Sequence, residues 1–171
     1  MTRPALAAAL LATAATLSQA APPTMMSEEW ARAACEAWNA DPVLPVELQK
    51  SGWAANHKSR GYKRLRVTRK DCAGSPPAEL RIEPRDGRAQ CVSGGRAQAP
   101  ELDTDVEYAM SAETRRWQEM GRGEYGPMRA MMFGRLSFDG PMGEAMGNMG
   151  PFESFLLLVG KVPAEAGSCP K

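Results

Sequence analysis

Residues 104–140 read TDVEYAMSAETRRWQEMGRGEYGPMRAMMFGRLSFDG, and the spacing of the apolar residues changes along them. Val106, Tyr108 and Met110 alternate with polar neighbours, the period of a strand buried on one face. Ser111 is placed to cap the next stretch, AETRRWQEM, where Trp117 and Met120 fall one helical turn apart. Gly126-Pro127 breaks the chain, and Met128, Met131 and Met132 resume helical spacing in MRAMMF. Leu136 and Phe138 then alternate in GRLSFDG, a strand stopped by Gly140-Pro141. A strand, two short helices and another strand cannot bury their apolar sides separately, so a sheet and its covering helices must share one core.

Upstream, GYKRLRVTRKDC alternates Leu65 and Val67 with Arg64, Arg66 and Thr68, and AELRIEP repeats the pattern with Leu80 and Ile82. Asp86-Gly87 suits a hairpin turn with positive backbone angles, leading into RAQCVSG as the third strand of an antiparallel meander. Before these strands, SEEWARAACEAWNAD opens on Ser27 as N-cap and carries Glu28 and Glu29 in its first turn. It places Trp30, Ala31, Ala34, Cys35 and Trp38 on one helical face. A shorter helix is expected from Val46 to about Trp53. After the last strand come MGEAMGNM and PFESFLLLVG, the latter with Pro151 in its first turn and Gly160 as its stop. The expected fold class is α+β: a five-stranded, mainly antiparallel sheet covered on one face by helices. It forms one domain over residues 27–162, followed by a tail at 163–171.

Arg3 and the apolar run Ala5–Leu17, followed by Ser18-Gln19-Ala20, read as a secretory signal peptide, residues 1–20, cleaved after Ala20. The run is too short to span a bilayer. The mature chain then starts with a flexible segment, residues 21–26, and the expected location is secreted and periplasmic. Loss of Arg3 removes the net charge of +1, so bulk electrostatics points to no nucleic acid. Cys35, Cys72, Cys91 and Cys169 include no Cys-x-x-Cys pair, and His57 is the one histidine, which argues against a metal site of the zinc type. In an exported chain an even count favours two disulfides. Placement in the strand region favours Cys72 with Cys91, with Cys35 and Cys169 then tying the tail to the first helix; the sequence leaves all three pairings open.

From Thr104 onward the chain resembles the sterol carrier protein type 2 family. The resemblance rests on the strand, the Ser-Ala-Glu helix start, the glycine-containing turn, the Pro-Met helix and the entry Gly134-Arg135-Leu136 into the last strand. It implies that the sheet and the later helices enclose an apolar tunnel for sterols, fatty acids, acyl thioesters or similar molecules, in a carrier that is not an enzyme and has no cofactor. It implies a lining of Trp117, Met120, Met128, Met131, Met132 and Phe133, joined by Met142, Met146, Phe152, Phe155 and Leu156 from the C-terminal helices. Arg135, Tyr125 and Trp117 are the polar groups expected at a ligand head group. The leader and the cysteines depart from intracellular members, so a free sterol, fatty acid, phospholipid or quinone fits better than a coenzyme A ester.

Each signal has a plainer reading. Six of the eleven methionines lie between Gly126 and Phe152. Methionine fills irregular cores as well as pocket walls, and its thioether binds Cu(I). Set among Phe133, Leu136, Phe138 and Phe152, these side chains suit folded apolar surroundings. A copper carrier therefore ranks behind a lipid carrier and behind a scaffold that fills the cavity with its own side chains and works through a protein partner. Gly121, Gly123 and Gly126 have dinucleotide-binding spacing but follow a helix, so they read as a link between helices. The seven cations from Lys58 to Lys70 are expected on a solvated sheet face, with Arg64 and Arg66 opposite Glu79 or Glu83; the alternative is a patch for transient membrane contact. FLLLVG is too short to span a membrane and is expected to be buried. No Gly-x-Ser-x-Gly elbow and no apolar pair of acids points to catalysis.

Overall fold

The computed structural model describes residues 21–98 and 101–171, so the leader expected at 1–20 lies outside the described residues. The alternating segments become five strands: β1 (Lys63–Arg69), β2 (Ala78–Arg85), β3 (Arg88–Arg96), β4 (Tyr108–Ala112) and β5 (Ser137–Asp139). They form one sheet of order β3-β2-β1-β4-β5. β1/β2, β2/β3 and β4/β5 are antiparallel, and β1/β4 is the parallel pair at the centre. Asp86 and Gly87, both at positive φ, close the β2/β3 hairpin as their sequence demands. Leu65, Val67, Leu80, Ile82, Ala89, Tyr108 and Met110 are buried, giving the sheet its apolar face.

The helices are α1 (Glu28–Ala40), α2 (Leu44–Lys50), α3 (Thr114–Gly121), α4 (Pro127–Met132), α5 (Met142–Gly147) and α6 (Met149–Lys161), with a 3₁₀ turn at Trp53–Ala55 after α2. Ser27 Oγ accepts from Trp30 N–H at 3.2 Å at the start of α1, and the five residues expected on its inner face are buried. α1 is fixed on the hairpin by polar contacts as well: Trp38 Nε1 donates to the Ala89 carbonyl at 2.8 Å, and the Asn39 amide bonds both backbone groups of Cys91.

The disulfides are Cys35–Cys91 and Cys72–Cys169, which corrects the expected Cys72–Cys91 and Cys35–Cys169. Sheet order is the reason. β2 lies between β1 and β3, which separates Cys72, just past β1, from Cys91 in β3, whereas α1 lays Cys35 over Cys91. Cys72 instead meets the returning tail, which Arg69 holds by donating to the carbonyls of Ser168 and Ala166 at 2.6 Å.

Three further expectations shift. Ser111 is a strand residue, paired with Ser137, and α3 starts at Thr114, whose N–H and hydroxyl both donate to Asp71 Oδ1 at 2.9 Å. A side chain remote in sequence thus performs the capping that Ser111 was expected to supply. The segment 21–26, expected to be loose, is tied down from Pro23: its carbonyl accepts from Glu165 N–H, Met25 N–H donates to the Glu165 carbonyl, and Met25 and Met26 are buried. The cation run is not a uniformly solvated face. Arg66 pairs with Glu79 at 2.7 Å and Arg64 reaches it at 4.0 Å, as expected, but Arg64 is buried with its main partner Glu107, and Lys63 and Arg69 share the inward side of β1 with Leu65 and Val67.

Candidate functional site

The parallel register sets Leu65 beside Tyr108 and Val67 beside Met110, so β1 and β4 present one inward apolar row. Against it, α1 places Trp38, α2 places Leu44 and Leu48, and the following turn places Trp53. α6 closes the other side with Phe152 and Phe155, and α5 with Ala145. Together with Phe138 of β5 these side chains surround a cavity of about 40 Å³. Its wall is a chain of ring contacts: Phe155–Trp38 (6.1 Å between centroids), Trp38–Trp53 (6.3 Å), Trp53–Tyr108 (5.7 Å), Tyr108–Phe138 (5.3 Å) and Phe138–Phe152 (5.6 Å). Such offset and edge-on contacts are favourable beyond their buried area. A drug-sized ligand needs roughly 300–1,000 Å³, so this cavity does not supply the open tunnel that was expected.

Behind the Trp53 and Tyr108 rings of this apolar wall lies a polar cluster. Trp53 Nε1 donates to the Tyr108 hydroxyl at 2.9 Å, and that hydroxyl donates to Glu144 Oε1 of α5 at 2.5 Å. The same carboxylate accepts from Lys63 Nζ and from Asn56 Nδ2. Lys63 Nζ lies 4.2 Å from the Trp53 ring centre, within cation–π range. Burial pulls the Lys63 ammonium below the ordinary lysine range, against the opposing hydrogen bond it donates to Glu144. Burial, then the Glu144 hydrogen bond, pushes the Tyr108 phenol far above the ordinary tyrosine range, so at neutral pH it is a fixed donor. Among the described residues no cluster of three or more His, Cys, Asp or Glu is placed to hold a metal ion, and no helix is long and apolar enough to cross a membrane.

Residues 27–153 match the SCP-2 sterol transfer family. The chain belongs to that family. Among solved structures, a crystal structure of sterol carrier protein 2 is similar with a TM-score of 0.53 at 20% identity, covering 81% of this chain and 98% of that one. The solution structure of a conserved hypothetical protein from Thermus thermophilus, possibly a sterol carrier protein, gives 0.50 at 20% identity, covering 85% and 94%. At these identities the likeness establishes the α+β fold. No curated protein matches the sequence significantly.

The SCP-2 match opens at the Ser27 cap of α1 and ends inside α6, so it takes in every cavity wall except Phe155. Of the lining expected from the sequence, Phe152 and Phe155 stand at this cavity. Leu156, Trp117 and Met120 are buried elsewhere in the core, with Trp117 Nε1 donating to the Thr68 carbonyl at 2.9 Å. Met131 is half-buried against the core. Met132 and Phe133 are 70% and 64% exposed, and Met128, Met142 and Met146 are exposed too, so none of these five walls the cavity as it stands. Tyr125 donates to Glu119 at 2.6 Å, and Arg135 stacks 4.4 Å over the Tyr125 ring beside a separate polar cleft of about 170 Å³.

Sequence reasoning missed Trp53, Leu44, Leu48 and the Lys63–Glu144–Tyr108 cluster. Tyr108 and Trp38 were legible as inward residues, but nothing local showed that they face each other across a void. A lysine in phase with Leu65 and Val67 was the one available sign of the polar cluster.

Proposed function

We propose that this SCP-2 domain is an exported, non-catalytic carrier of an apolar small molecule of the sterol, fatty acid, phospholipid or quinone class, held between the sheet and α5/α6. The observation that carries the reading is the apolar cavity ringed by Trp38, Trp53, Tyr108, Phe138, Phe152 and Phe155. Burial of a ligand's apolar surface there contributes about 25 cal/mol per Å² before ordering costs. Two disulfides support an oxidising compartment, and hence the leader reading of residues 1–20. The exposed Met128, Met132 and Phe133 of the α4 end are suited to transient contact with a membrane or donor particle, with Met142 and Met146 joining the lining once α5 shifts.

Native mass spectrometry of detergent-free protein, followed by denaturing extraction, tests the reading. An extractable adduct of lipid-like mass is the expected result. Protein that stays bare after exposure to sterols, fatty acids and quinones would overturn it. The small volume favours a second reading, a scaffold with a self-filled cavity acting through a protein partner, and a persistently bare protein would select that one.

A further inference from the structure

Against the Trp53 and Tyr108 rings of the cavity wall lies a charged cluster that holding an apolar guest does not require. Lys63 stands on the inward side of β1 with a fully buried side chain. A buried ammonium is costly unless an anion pairs with it. The anion is Glu144, which receives bonds from Lys63, Tyr108 and Asn56 at once. Its helix, α5, is six residues long and buries a single side chain, Ala145. Gly143 and Gly147 of α5 have open space where a side chain would stand. Apolar packing therefore holds α5 weakly, and the Glu144 carboxylate fixes its position. The cluster adjoins the cavity directly, because Trp53, Tyr108 and Ala145 belong to the cavity wall.

We propose that Lys63 and Tyr108, with Asn56 at the rim, form a receptor for the singly charged anionic head group of an amphiphile whose chain lies in the cavity. Glu144 fills this receptor as an internal surrogate when no guest is bound. The inference rests on the carrier reading above and narrows its ligand class. Charge balance selects the class. Exchanging the Glu144 carboxylate for another monoanion keeps Lys63 paired, whereas a sterol, alcohol or quinone in its place would leave the buried ammonium without a hydrogen-bonded counter-charge, the more distant Glu107 being held by Arg64. A carboxylate and a phosphodiester both meet the requirement. Glu144 is already 16% exposed and can swing into water. In doing so it carries α5 off the cavity mouth and couples head-group binding to opening.

The test is binding of cis-parinaric acid and its methyl ester to the disulfide-bonded protein of residues 21–171, followed by energy transfer from tryptophan. The acid is expected to bind about tenfold more tightly than the ester, the scale of one hydrogen bond to a charged group. Lys63→Met should abolish the preference, and Glu144→Gln should tighten the acid more than the ester. Palmitate or lysophosphatidylglycerol should displace the acid probe; hexadecanol and cholesterol should not. Equal affinity for acid and ester, a preference that survives Lys63→Met, or displacement by hexadecanol as effective as by palmitate would each overturn the head-group receptor while leaving the carrier reading standing. If neither probe binds, both fall. Should Lys63→Met fail to fold, Glu144→Gln and the acid-to-ester ratio of the unaltered protein decide the matter.

Discussion

Helices α3 and α6 cross with a glycine on each side, and adding a methyl group there should reverse the sign that helix propensity gives. A Cβ built on Gly160 stands 2.5 Å from the Cα, C and O atoms of Gly121, and one built on Gly121 stands 2.5 Å from Gly160 Cα. These are backbone atoms that cannot turn aside as a side-chain tip can. By propensity alone, glycine to alanine in a helix gains up to about 1 kcal/mol. Overpacking a close contact costs about 1–3 kcal/mol, and here the two helices must separate to relieve it. Gly160→Ala is therefore expected to destabilise by about 2 kcal/mol, lowering Tm by about 6 °C for a domain of this size. Gly150→Ala is the control: it lies in the same helix, a Cβ there meets nothing within 4 Å, and a small gain is expected. Urea unfolding of the oxidised protein measures both, with an unchanged m-value required for the comparison. The double variant Gly121→Ala/Gly160→Ala should lose less than the sum, since one separation accommodates both methyls. A Gly160→Ala protein as stable as the Gly150→Ala control would refute the reasoning.

Removing the disulfide between Cys35 and Cys91, 56 residues apart, by a double serine variant should cost about 4 kcal/mol by loop-closure entropy. Non-reducing peptide mapping should recover Cys35–Cys91 and Cys72–Cys169, and a Cys72–Cys91 peptide would contradict the sheet order. The methionines should divide by burial: Met110→Ala and Met120→Ala should each lose about 2–5 kcal/mol, while Met132→Ser should stay within about 0.5 kcal/mol of the unaltered protein in urea unfolding. Burial pushes the Glu107 carboxyl up, but hydrogen bonds from Arg64 and from Asp103 N–H outweigh it, so the folded group titrates below its ordinary value of 4.5. Its contribution is thus fully present above pH 4.5 and lost as the pH falls through the folded value. Glu107→Gln should start less stable at neutral pH and lose less between pH 4.5 and 3; parallel losses in the two proteins would count against the pairing.

The strands were legible because alternation is a local property: Leu65 with Val67, Leu80 with Ile82 and Tyr108 with Met110 need only the pleat to share a face. Helix α1 was legible for a similar reason, since Trp30, Ala34 and Trp38 repeat over three turns. The short helices were not. In α4 and α5, six residues each, methionine spacing marks one face but gives no sign of which way that face turns. Pro127 and Ala130 of α4 and Ala145 of α5, not the methionines, are the residues those helices bury. Long-range pairings were equally hidden. The disulfides depend on which strands α1 covers, Asp71 reaches Thr114 across 43 residues, and Lys63 reaches Glu144 across 81. The family resemblance named a lining from the later helices, whereas much of the cavity wall comes from α1, α2 and the turn at Trp53.

The small size of the cavity also makes a demand on motion. Enlarging it by displacing Trp38 or Trp53 would break the indole hydrogen bonds to Ala89 and Tyr108 as well as the ring contacts. Enlarging it by lifting α5 uncovers one alanine methyl, worth less than about 1 kcal/mol, and breaks the Glu144 contacts, of which the pairing with buried Lys63 is the main cost. α5 is therefore the low-stability unit of the fold, and α6, with Phe155, Leu156, Leu158 and Val159 buried, is part of the stable core. Met142 and Met146, exposed on α5 while it is shut, are one turn apart, and a roll of the helix would bring them over the space that opens. Amide hydrogen exchange should show residues 142–148 exchanging through local opening far faster than residues 154–160, and Glu144→Gln should speed the first set while leaving the second unchanged. Exchange of α5 and α6 at one common rate, equally affected by Glu144→Gln, would mean that the two helices open only together, and α5 could not then serve as the entrance.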